Sequence, residues 1–292
     1  MTISPPVRPR RSALYVPAQN ARAMEKACSA RCDVVVLDLE DSVGPNEKLQ
    51  ARAAAVEAAR DRRFASREVV IRVNALSTPW GREDVAAAAQ AKPDAILVPK
   101  ISAASDLAVA RADMHGDVPM WIMMETCAAM LKLNEIGMAG AEAGVEAWVI
   151  GSSDLAKEMR CGQGVARPGL QTALSLSVMA ARAFGLGILD GVFFDAANPE
   201  GLATQCAEGA SLGFDGKTLI HPNQIEIANR AFTPNPAAVA WARAIIAAFD
   251  KPENAGKGLV DVDGRYVERL HYDDARYLVQ VAEAIGARDT AG

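Results

Sequence analysis

Two acidic residues, Glu125 and Asp154, lie at the ends of two apolar runs that are typical of buried strands. The runs are Met120–Met124 and Ala147–Gly151, and about one strand–helix–strand repeat separates the two acids. Parallel neighbouring strands would bring both carboxylates to the same edge of a sheet. Two convergent carboxylates suit a hard divalent cation such as Mg²⁺. The sequence thus predicts that Glu125 and Asp154 are metal ligands, although Asp154 could instead cap a helix.

The elements that would position these acids alternate along the chain. Eight short apolar runs are predicted strands: Ala13–Pro17, Val34–Leu39, Val69–Val73, Ala95–Pro99, Met120–Met124, Ala147–Gly151, Ile188–Phe194 and Thr218–Ile220. Alanine-rich amphipathic stretches separate them, and strands that are apolar on both faces favour a parallel sheet covered by helices. Eight such units over roughly 230 residues predict an α/β fold, a closed (β/α)₈ TIM barrel. The competing open doubly wound sheet would place a glycine-rich turn after the first strand, and the sequence after Pro17 lacks one.

The pattern changes near residue 233, which suggests three parts. We predict a flexible leader over residues 1–10, a catalytic barrel over residues 11–233 and a C-terminal extension over residues 234–292. The leader lacks the apolar segment of a secretory signal. The extension is predicted to be a helix, a hairpin that turns at Asp263-Gly264 and a second helix. Because it is short, we expect it to act as a lid on the barrel or as an arm that reaches a neighbouring subunit.

The composition argues against several classes of function. A net charge of −5 and a pI near 5.4 give no reason to expect nucleic acid or an anionic membrane as a partner. No apolar run approaches the ~20 residues that span a bilayer. Five cysteines at irregular spacing argue against a disulfide framework and favour the cytoplasm. Three histidines leave little room for a zinc site built from several of them.

Further charged residues are predicted at the carboxyl ends of the barrel strands, where active sites of this architecture lie. Asp38, Glu40 and Asp41 end or follow the second strand, and Arg72 lies within the third. An arginine in an apolar strand is costly to bury unless it is paired or meets a ligand. Arg72 therefore either pairs with Asp38 or Glu40, or binds a substrate anion. The acids of residues 38–41 could be metal ligands or could hydrogen-bond to metal-bound water.

Basic residues end two other strands. Lys100 follows the fourth strand, and the eighth strand runs from Lys217 into His221. Lys100 would serve as a Schiff-base nucleophile only with a depressed pKa. Nearby acids would raise that pKa, so we expect an electrostatic, substrate-binding role for Lys100.

Seven segments follow one another at the predicted barrel strands: RSALYVP at residues 11–17, DLEDSV at 38–43, IRVN at 71–74, VPK at 98–100, MET at 124–126, GSSDL at 151–155 and GKTLIHPNQ at 216–224. In content and order they resemble the HpcH/HpaI aldolase and citrate lyase β-subunit superfamily, specifically its CoA-ester lyase branch. The resemblance covers roughly residues 11–232. It implies a metal-dependent (β/α)₈ barrel that forms a homotrimer or homohexamer and acts on a CoA ester and an α-keto acid.

The resemblance also implies roles for the residues at the barrel edge. Glu125 and Asp154 would bind Mg²⁺. Arg72 would hold the carboxylate or carbonyl of the α-keto acid. Glu40 and Asp41 would order the metal's water molecules.

Two regions outside this group complete the resemblance. It implies CoA contacts from Arg11 and from the region of Lys217 and His221. The family's tail carries an aspartate base that reaches a neighbouring subunit's site, whereas here Glu268 occupies that position and Leu270 replaces a proline. Glutamate is one methylene longer, and positioning errors near 1 Å can cost ~10²-fold in rate. Glu268 is therefore either a retuned catalytic base or a surface acid.

Four functions follow from these features. The first is a Mg²⁺-dependent carbon–carbon lyase that cleaves or forms malyl-, citramalyl- or citryl-CoA, with an acyl-CoA and an α-keto acid as the fragments. The second is an acyl-CoA thioesterase on the same scaffold. The third is a CoA-independent aldolase for hydroxy-keto acids, and the fourth is a binding subunit that has lost the base.

Overall fold

Eight parallel strands form a closed barrel in the computed structural model, which describes residues 8–64 and 67–291. They are β1 (Ser12–Pro17), β2 (Val34–Asp38), β3 (Glu68–Arg72), β4 (Ala95–Val98), β5 (Met120–Met124), β6 (Val145–Ile150), β7 (Gly187–Asp190) and β8 (Gly216–Leu219). Each strand pairs with the next along the chain, and β8 closes the barrel against β1. The predicted (β/α)₈ barrel is confirmed.

Helices follow the barrel strands. They are α1 (Ala21–Cys28), α2 (Lys48–Arg60), α3 (Gly81–Ala91), α4 (Ala104–Asp113), α5 (Cys127–Met130), α6 (Leu133–Ala143), α7 (Ser152–Met159), α8 (Gln171–Ala183), α9 (Pro199–Leu212) and α10 (Ile225–Phe232). Short 3₁₀ turns at Pro45–Glu47 and Pro222–Gln224 lead into α2 and α10.

Two apolar layers stabilise the barrel because side chains alternate along each strand. One layer fills the barrel interior: Ala13, Val34, Val36, Val70, Ala95, Leu97, Trp121, Met123, Ala147, Val149 and Leu189. The alternate residues of the strands pack outward against the helices in a second, larger layer. Strands buried on both faces explain why the sequence shows continuous apolar runs rather than alternation.

Strand β7 ends earlier than the sequence predicts. The apolar run continues to Phe194, but regular pairing stops at Asp190. At Gly191 the chain passes so close to Ser152 and to the Ile150 carbonyl that a Cβ atom would overlap them. This close approach requires glycine, and residues 191–195 form an irregular segment beside the end of β6.

The chain divides into two compact units, of which the barrel occupies residues 10–232. The second unit contains residues 233–291, and most of the predicted leader over residues 1–10 lies outside the described residues. The second unit consists of α11 (Pro236–Phe249), strands β9 (Leu259–Val262) and β10 (Arg265–Glu268), and α12 (Leu270–Ala291).

A tight turn joins the two strands of the second unit. Asp263 and Gly264 have φ angles of +51° and +80°, as a type I′ hairpin turn requires. The inner face of the hairpin carries Val260, Val262 and Val267, which pack against the two helices. Among the described residues, no helix is long and apolar enough to cross a membrane.

Candidate metal and substrate site

Glu125 and Asp154 converge on one cationic group at the carboxyl ends of β5 and β6. The ammonium of Lys100 pairs with Asp154 and lies 3.5 Å from Glu125 Oε2. Asp154 sits in the first turn of α7, whose N-cap is Gly151, so the alternative that Asp154 caps this helix is wrong. The strand ends therefore bring the two predicted metal ligands together, with a positive charge between them.

The Glu125 side chain is held in one orientation. It is buried, and its Oε1 atom accepts a 2.7 Å hydrogen bond from the main-chain amide of Lys100. Lys100 adopts a left-handed backbone with φ of +58°, a conformation that costs free energy for a residue with a Cβ atom. Gly151 makes room on the other side, because a Cβ atom there would overlap Glu125. These contacts leave Glu125 Oε2 directed at the cation position.

Burial and neighbouring charges shift the pKa values of Glu125, Asp154 and Lys100 in opposite directions. Burial raises the pKa of Glu125 above its ordinary value, against the effect of Lys100. Partial burial opposes ionisation of Asp154 too, but the hydrogen bond from Lys100 outweighs it and lowers the pKa of Asp154. Burial alone would lower the pKa of Lys100, yet Asp154 and Glu125 raise it. A raised pKa argues against a Schiff-base role for Lys100.

Arg72 lies at the neighbouring part of the same edge and is paired with Asp38. Its Nε and Nη2 atoms each donate a 2.7 Å hydrogen bond to one oxygen of the Asp38 carboxylate. The remaining Nη1 atom lies 3.0 Å from Glu40 Oε2 and 3.5 Å from Asp41 Oδ2. The expected pairing of Arg72 with Asp38 is therefore present, and Nη1 still faces the acids that were expected to order metal-bound water.

The Glu40 carboxyl uses only part of its hydrogen-bonding capacity in this arrangement. Its Oε2 atom is shielded from solvent and, among the described residues, lacks a hydrogen-bond partner of acceptable angle despite the proximity of Arg72. Burial raises the pKa of the Glu40 carboxyl to about 8, against the opposing effect of Arg72. Asp41, by contrast, is 67 % exposed. A buried carboxyl with an unused oxygen is available to hydrogen-bond a ligand.

Tyr15 belongs to this group, although sequence reasoning did not single it out. The Arg72 guanidinium carbon lies 4.5 Å from the centroid of the Tyr15 ring. The Tyr15 hydroxyl is shielded from solvent and has no hydrogen-bond partner among the described residues. The signal in the sequence was a tyrosine near the carboxyl end of an otherwise apolar strand, two residues from the inward-facing Ala13.

Arg11 and Lys217 do not reach this edge, which corrects their expected contact with CoA. Arg11 precedes β1, at the amino-terminal end of the barrel, and its guanidinium binds both oxygens of Asp33. Lys217 points outward from β8, since its neighbour Thr218 pairs with the inward-facing Ala13. The positive charges of Arg11 and Lys217 therefore take part in buried ion pairs within the barrel.

Lys217 belongs to a buried charge cluster between the barrel and α9. Its ammonium donates to Asp190 Oδ2 at 2.7 Å and to Gln205 Oε1 at 3.0 Å. Arg167 donates to Asp190 Oδ1 at 2.8 Å and to Glu208. The cluster is internally paired, which explains how a lysine with no exposed surface is tolerated.

The remaining predicted residues are exposed. His221 follows β8, and its Nδ1 atom accepts a 3.3 Å hydrogen bond from the amide of Asn223. Glu268 is the last residue of β10 in the second unit. Within the described residues, no group of three or more histidine, cysteine, aspartate and glutamate side chains is arranged to hold a metal ion. A metal at Glu125 and Asp154 would therefore take its other ligands from water or substrate.

The chain is similar to known proteins over most of its length. The family model for HpcH/HpaI aldolase/citrate lyase matches residues 11–222. The chain is 45 % identical over 279 residues to a (3S)-malyl-CoA thioesterase of Cereibacter sphaeroides, a match that covers 96 % of each chain. It is 33 % identical to an L-malyl-CoA/beta-methylmalyl-CoA lyase of the same species, covering 97 % of this chain and 98 % of the lyase.

A solved structure is also similar across nearly the whole chain. It is the protein CitE from Mycobacterium tuberculosis in complex with magnesium, acetoacetate and coenzyme A. The TM-score is 0.73 at 27 % identity, over 93 % of this chain and 97 % of that one. The chain therefore belongs to the HpcH/HpaI aldolase/citrate lyase family, and it is an enzyme of that metal-dependent lyase family, as its motifs predict.

Proposed function

We propose that the protein is a Mg²⁺-dependent enzyme that hydrolyses the thioester bond of a short 3-hydroxydicarboxylyl-CoA such as malyl-CoA. The observation that carries the metal dependence is the convergence of Glu125 and Asp154 on a single cation position. Hydrolysis, rather than carbon–carbon cleavage, is favoured because the identity to malyl-CoA thioesterase is 45 %, against 33 % to malyl-CoA lyase.

The site fits a magnesium ion by the chemistry of its donors. Glu125 and Asp154 would supply two carboxylate oxygens, and hard cations of this kind keep several water ligands. The position already accommodates a positive charge, the ammonium of Lys100. When bound, Mg²⁺ would stabilise negative charge that develops on substrate oxygen atoms. The protein would contribute the orientation of both carboxylates, which the Lys100 amide and the space at Gly151 provide.

Arg72 would bind and orient the substrate's acid end, with Glu40 and Asp41 beside it in a different role. Two of the five N–H groups of Arg72 are used by Asp38, so others remain to bind a carboxylate with charge assistance. Glu40 and Asp41 would order water next to the metal. Burial raises the pKa of the Glu40 carboxyl and so favours its protonated form, which can also donate a hydrogen bond to a substrate oxygen.

The base that activates water is proposed to be Glu268, supplied by the C-terminal extension of a neighbouring subunit. The extension would then be the arm that completes the site of a homotrimer or homohexamer. In hydrolysis the water oxygen bonds to the thioester carbon, the carbon–sulfur bond breaks, and the thiolate of CoA takes up a proton. His221, at the carboxyl end of β8, remains a proposed CoA contact. The five cysteines are free, which suits a cytoplasmic location.

Carbon–carbon cleavage of the same substrates is the second candidate, favoured by the match to malyl-CoA lyase. The same residues serve it, because the metal and Arg72 would hold the keto acid that forms. The two reactions differ in products: malyl-CoA hydrolysis gives malate and free CoA, whereas cleavage gives glyoxylate and acetyl-CoA.

Product analysis tests the proposal directly. Malyl-CoA, citramalyl-CoA and citryl-CoA are incubated with enzyme and Mg²⁺, and free thiol and keto acid are quantified separately. We expect free CoA and hydroxy acid in equal amounts without keto acid. Keto acid and acyl-CoA in equal amounts, without free thiol, would replace hydrolysis by the lyase reaction.

The metal assignment needs its own variant. Glu125→Gln keeps the size of the side chain but removes its charge, and Mg²⁺-dependent turnover should be lost. Glu158→Gln, at an acid of α7 whose side chain binds the Cys127 amide, is the matched control and should retain turnover. Full activity of Glu125→Gln would show that the metal lies elsewhere.

A further inference from the structure

Lys48, the first residue of α2, is a buried lysine whose ammonium binds two main-chain carbonyl groups. It donates to the carbonyl oxygens of Leu39 at 2.9 Å and Glu40 at 2.8 Å. Only 7 % of the residue is exposed, and the ammonium also lies 5.6 Å from the centroid of the Trp80 ring. Burial of an ammonium group is unfavourable unless such contacts replace water. Lys48 therefore ties the start of α2 to the loop after β2.

The same loop is held from its other side by Asp38. The Asp38 carboxylate accepts hydrogen bonds from the amides of Glu40 at 2.9 Å and Ser42 at 3.1 Å. The main chain of Glu40 is thus fixed at its amide by Asp38, and at its carbonyl by Lys48 together with the Val43 amide, which donates at 3.0 Å. The Glu40 carboxyl forms an ion pair with Arg72 at 3.0 Å but lacks an aligned hydrogen bond to it, so the main chain contributes to holding the carboxyl in place.

We propose that Lys48 is a positioning residue for substrate binding. Its ammonium fixes the main chain of Leu39 and Glu40, and thereby holds the Glu40 carboxyl against Arg72 in the arrangement that receives the substrate's carboxylate. The proposal deepens the function proposed above and rests on it for its kinetic test.

The kinetic test compares Lys48→Met with Lys48→Arg and with Lys26→Met, an exposed lysine of α1. Methionine is an unbranched side chain one atom shorter than lysine, and it cannot donate to carbonyl oxygens. We expect kcat/KM for the CoA ester to fall roughly 10- to 100-fold in Lys48→Met, mainly through KM. Lys48→Arg should recover part of the loss because a guanidinium can bind both carbonyls, and Lys26→Met should behave as wild type.

A double-mutant cycle separates positioning from general support of the fold. If Lys48 acts through Glu40, the two substitutions should not act independently. The increase in KM of the double variant Lys48→Met/Glu40→Gln should then be clearly smaller than the product of the increases in the two single variants. Independent, multiplicative effects on KM would overturn the proposal. A wild-type KM in folded Lys48→Met would overturn it as well.

Hydrogen exchange provides a test that needs no activity. Amides of residues 39–43 should exchange at least about 10-fold faster in Lys48→Met, whereas those of β5 and β6 should be unchanged. If the wild type turns over no CoA ester, the proposed function fails, and this measurement still decides the role of Lys48 in the loop. Should Lys48→Met not fold, Lys48→Gln replaces it. Unchanged loop exchange in either folded variant would contradict the proposal.

Discussion

Arg72 and Asp38 are direct register partners at the carboxyl ends of β3 and β2, and two hydrogen bonds of 2.7 Å join their side chains. Both residues are buried, with Asp38 fully inaccessible. Burial alone would raise the pKa of Asp38, but Arg72 outweighs it and holds that pKa below its ordinary value. The guanidinium that is proposed to bind the substrate is therefore the same group that keeps the buried carboxylate of Asp38 ionised.

This shared use predicts two separable effects of replacing Arg72. Arg72→Met leaves Asp38 buried without its partner, and we expect the free energy of unfolding to fall by about 3–5 kcal/mol. Substrate turnover should fall by more than ~10²-fold, because a charge-assisted carboxylate contact is lost. Urea denaturation measures the first effect and steady-state kinetics the second.

The double variant Arg72→Met/Asp38→Asn distinguishes the two roles. Removing both charges should restore much of the stability without restoring turnover. Equal instability of the single and double variants would contradict the assignment of the stability loss to the unpaired Asp38. Recovery of turnover in the double variant would contradict a substrate-binding role for Arg72.

The sequence was sufficient to predict the meeting of Glu125 and Asp154, because parallel strands align their carboxyl ends whatever the details of packing. The sequence also indicated that Lys100 lies near acids, but not that its ammonium pairs with these two carboxylates. That contact depends on a left-handed backbone at Lys100, which the residue type does not favour and which only the surrounding structure imposes.

Sequence reasoning misplaced Lys217 and Arg11 for a different physical reason. Lys217 lies in a strand of four residues, too short for the sequence to reveal which side chains point inward. Its partner Asp190, which carries the compensating charge, is the last residue of another short strand, β7. Only the register of β7 against β8 shows that these two side chains form a pair. Arg11 stands one residue before β1 and so belongs to the opposite end of the barrel from the site.

Gly151 is predicted to be essential for metal affinity. A methyl group on this residue would overlap the Cβ and Oε2 atoms of Glu125, so Gly151→Ala must displace the carboxylate. We expect the Mg²⁺ dissociation constant to rise roughly 10- to 100-fold, as when the support of a metal ligand is lost. Titration calorimetry with Mg²⁺ measures it. Gly162→Ala, where an added Cβ has no neighbour within 4 Å, is the control and should bind as wild type.

Asp190 is predicted to make stability depend on pH in the acid range. Burial opposes its ionisation, but Lys217 and Arg167 outweigh this effect and lower the pKa of Asp190. A depressed pKa in the folded state contributes stability above the unfolded value near ~3.9, and the contribution is lost as pH falls through the folded value. The wild type should therefore lose stability below about pH 4.

Asp190→Asn isolates this contribution. At pH 7 it leaves two buried cations without their shared carboxylate, so we expect a loss of about 3–5 kcal/mol in the free energy of unfolding. The difference from wild type should shrink as pH falls below about 4, because the carboxylate takes up a proton there in the unfolded chain, whereas in the folded protein it stays ionised until a lower pH. Urea denaturation at pH 7 and pH 3 measures both. A constant difference across this range would contradict the linkage.

The proposed supply of Glu268 by a neighbouring subunit predicts complementation between two inactive variants. Arg72→Lys and Glu268→Gln should each be inactive alone, because each removes a different part of every site. In mixed oligomers formed by co-expression, a site is intact when one subunit contributes Arg72 and its neighbour contributes Glu268. Random assembly of equal amounts makes about a quarter of the sites intact, so about a quarter of the wild-type activity should return.

The control for this experiment mixes Arg72→Lys with Glu125→Gln. Both residues lie in the barrel unit of one chain, so no mixed oligomer can combine intact copies in one site, and no activity should return. Full activity of Glu268→Gln alone would identify Glu268 as a surface acid. Inactivity of Glu268→Gln without complementation, in oligomers of unchanged mass, would place the base and Arg72 in the same subunit, because only a residue supplied by the neighbour can be exchanged by mixing.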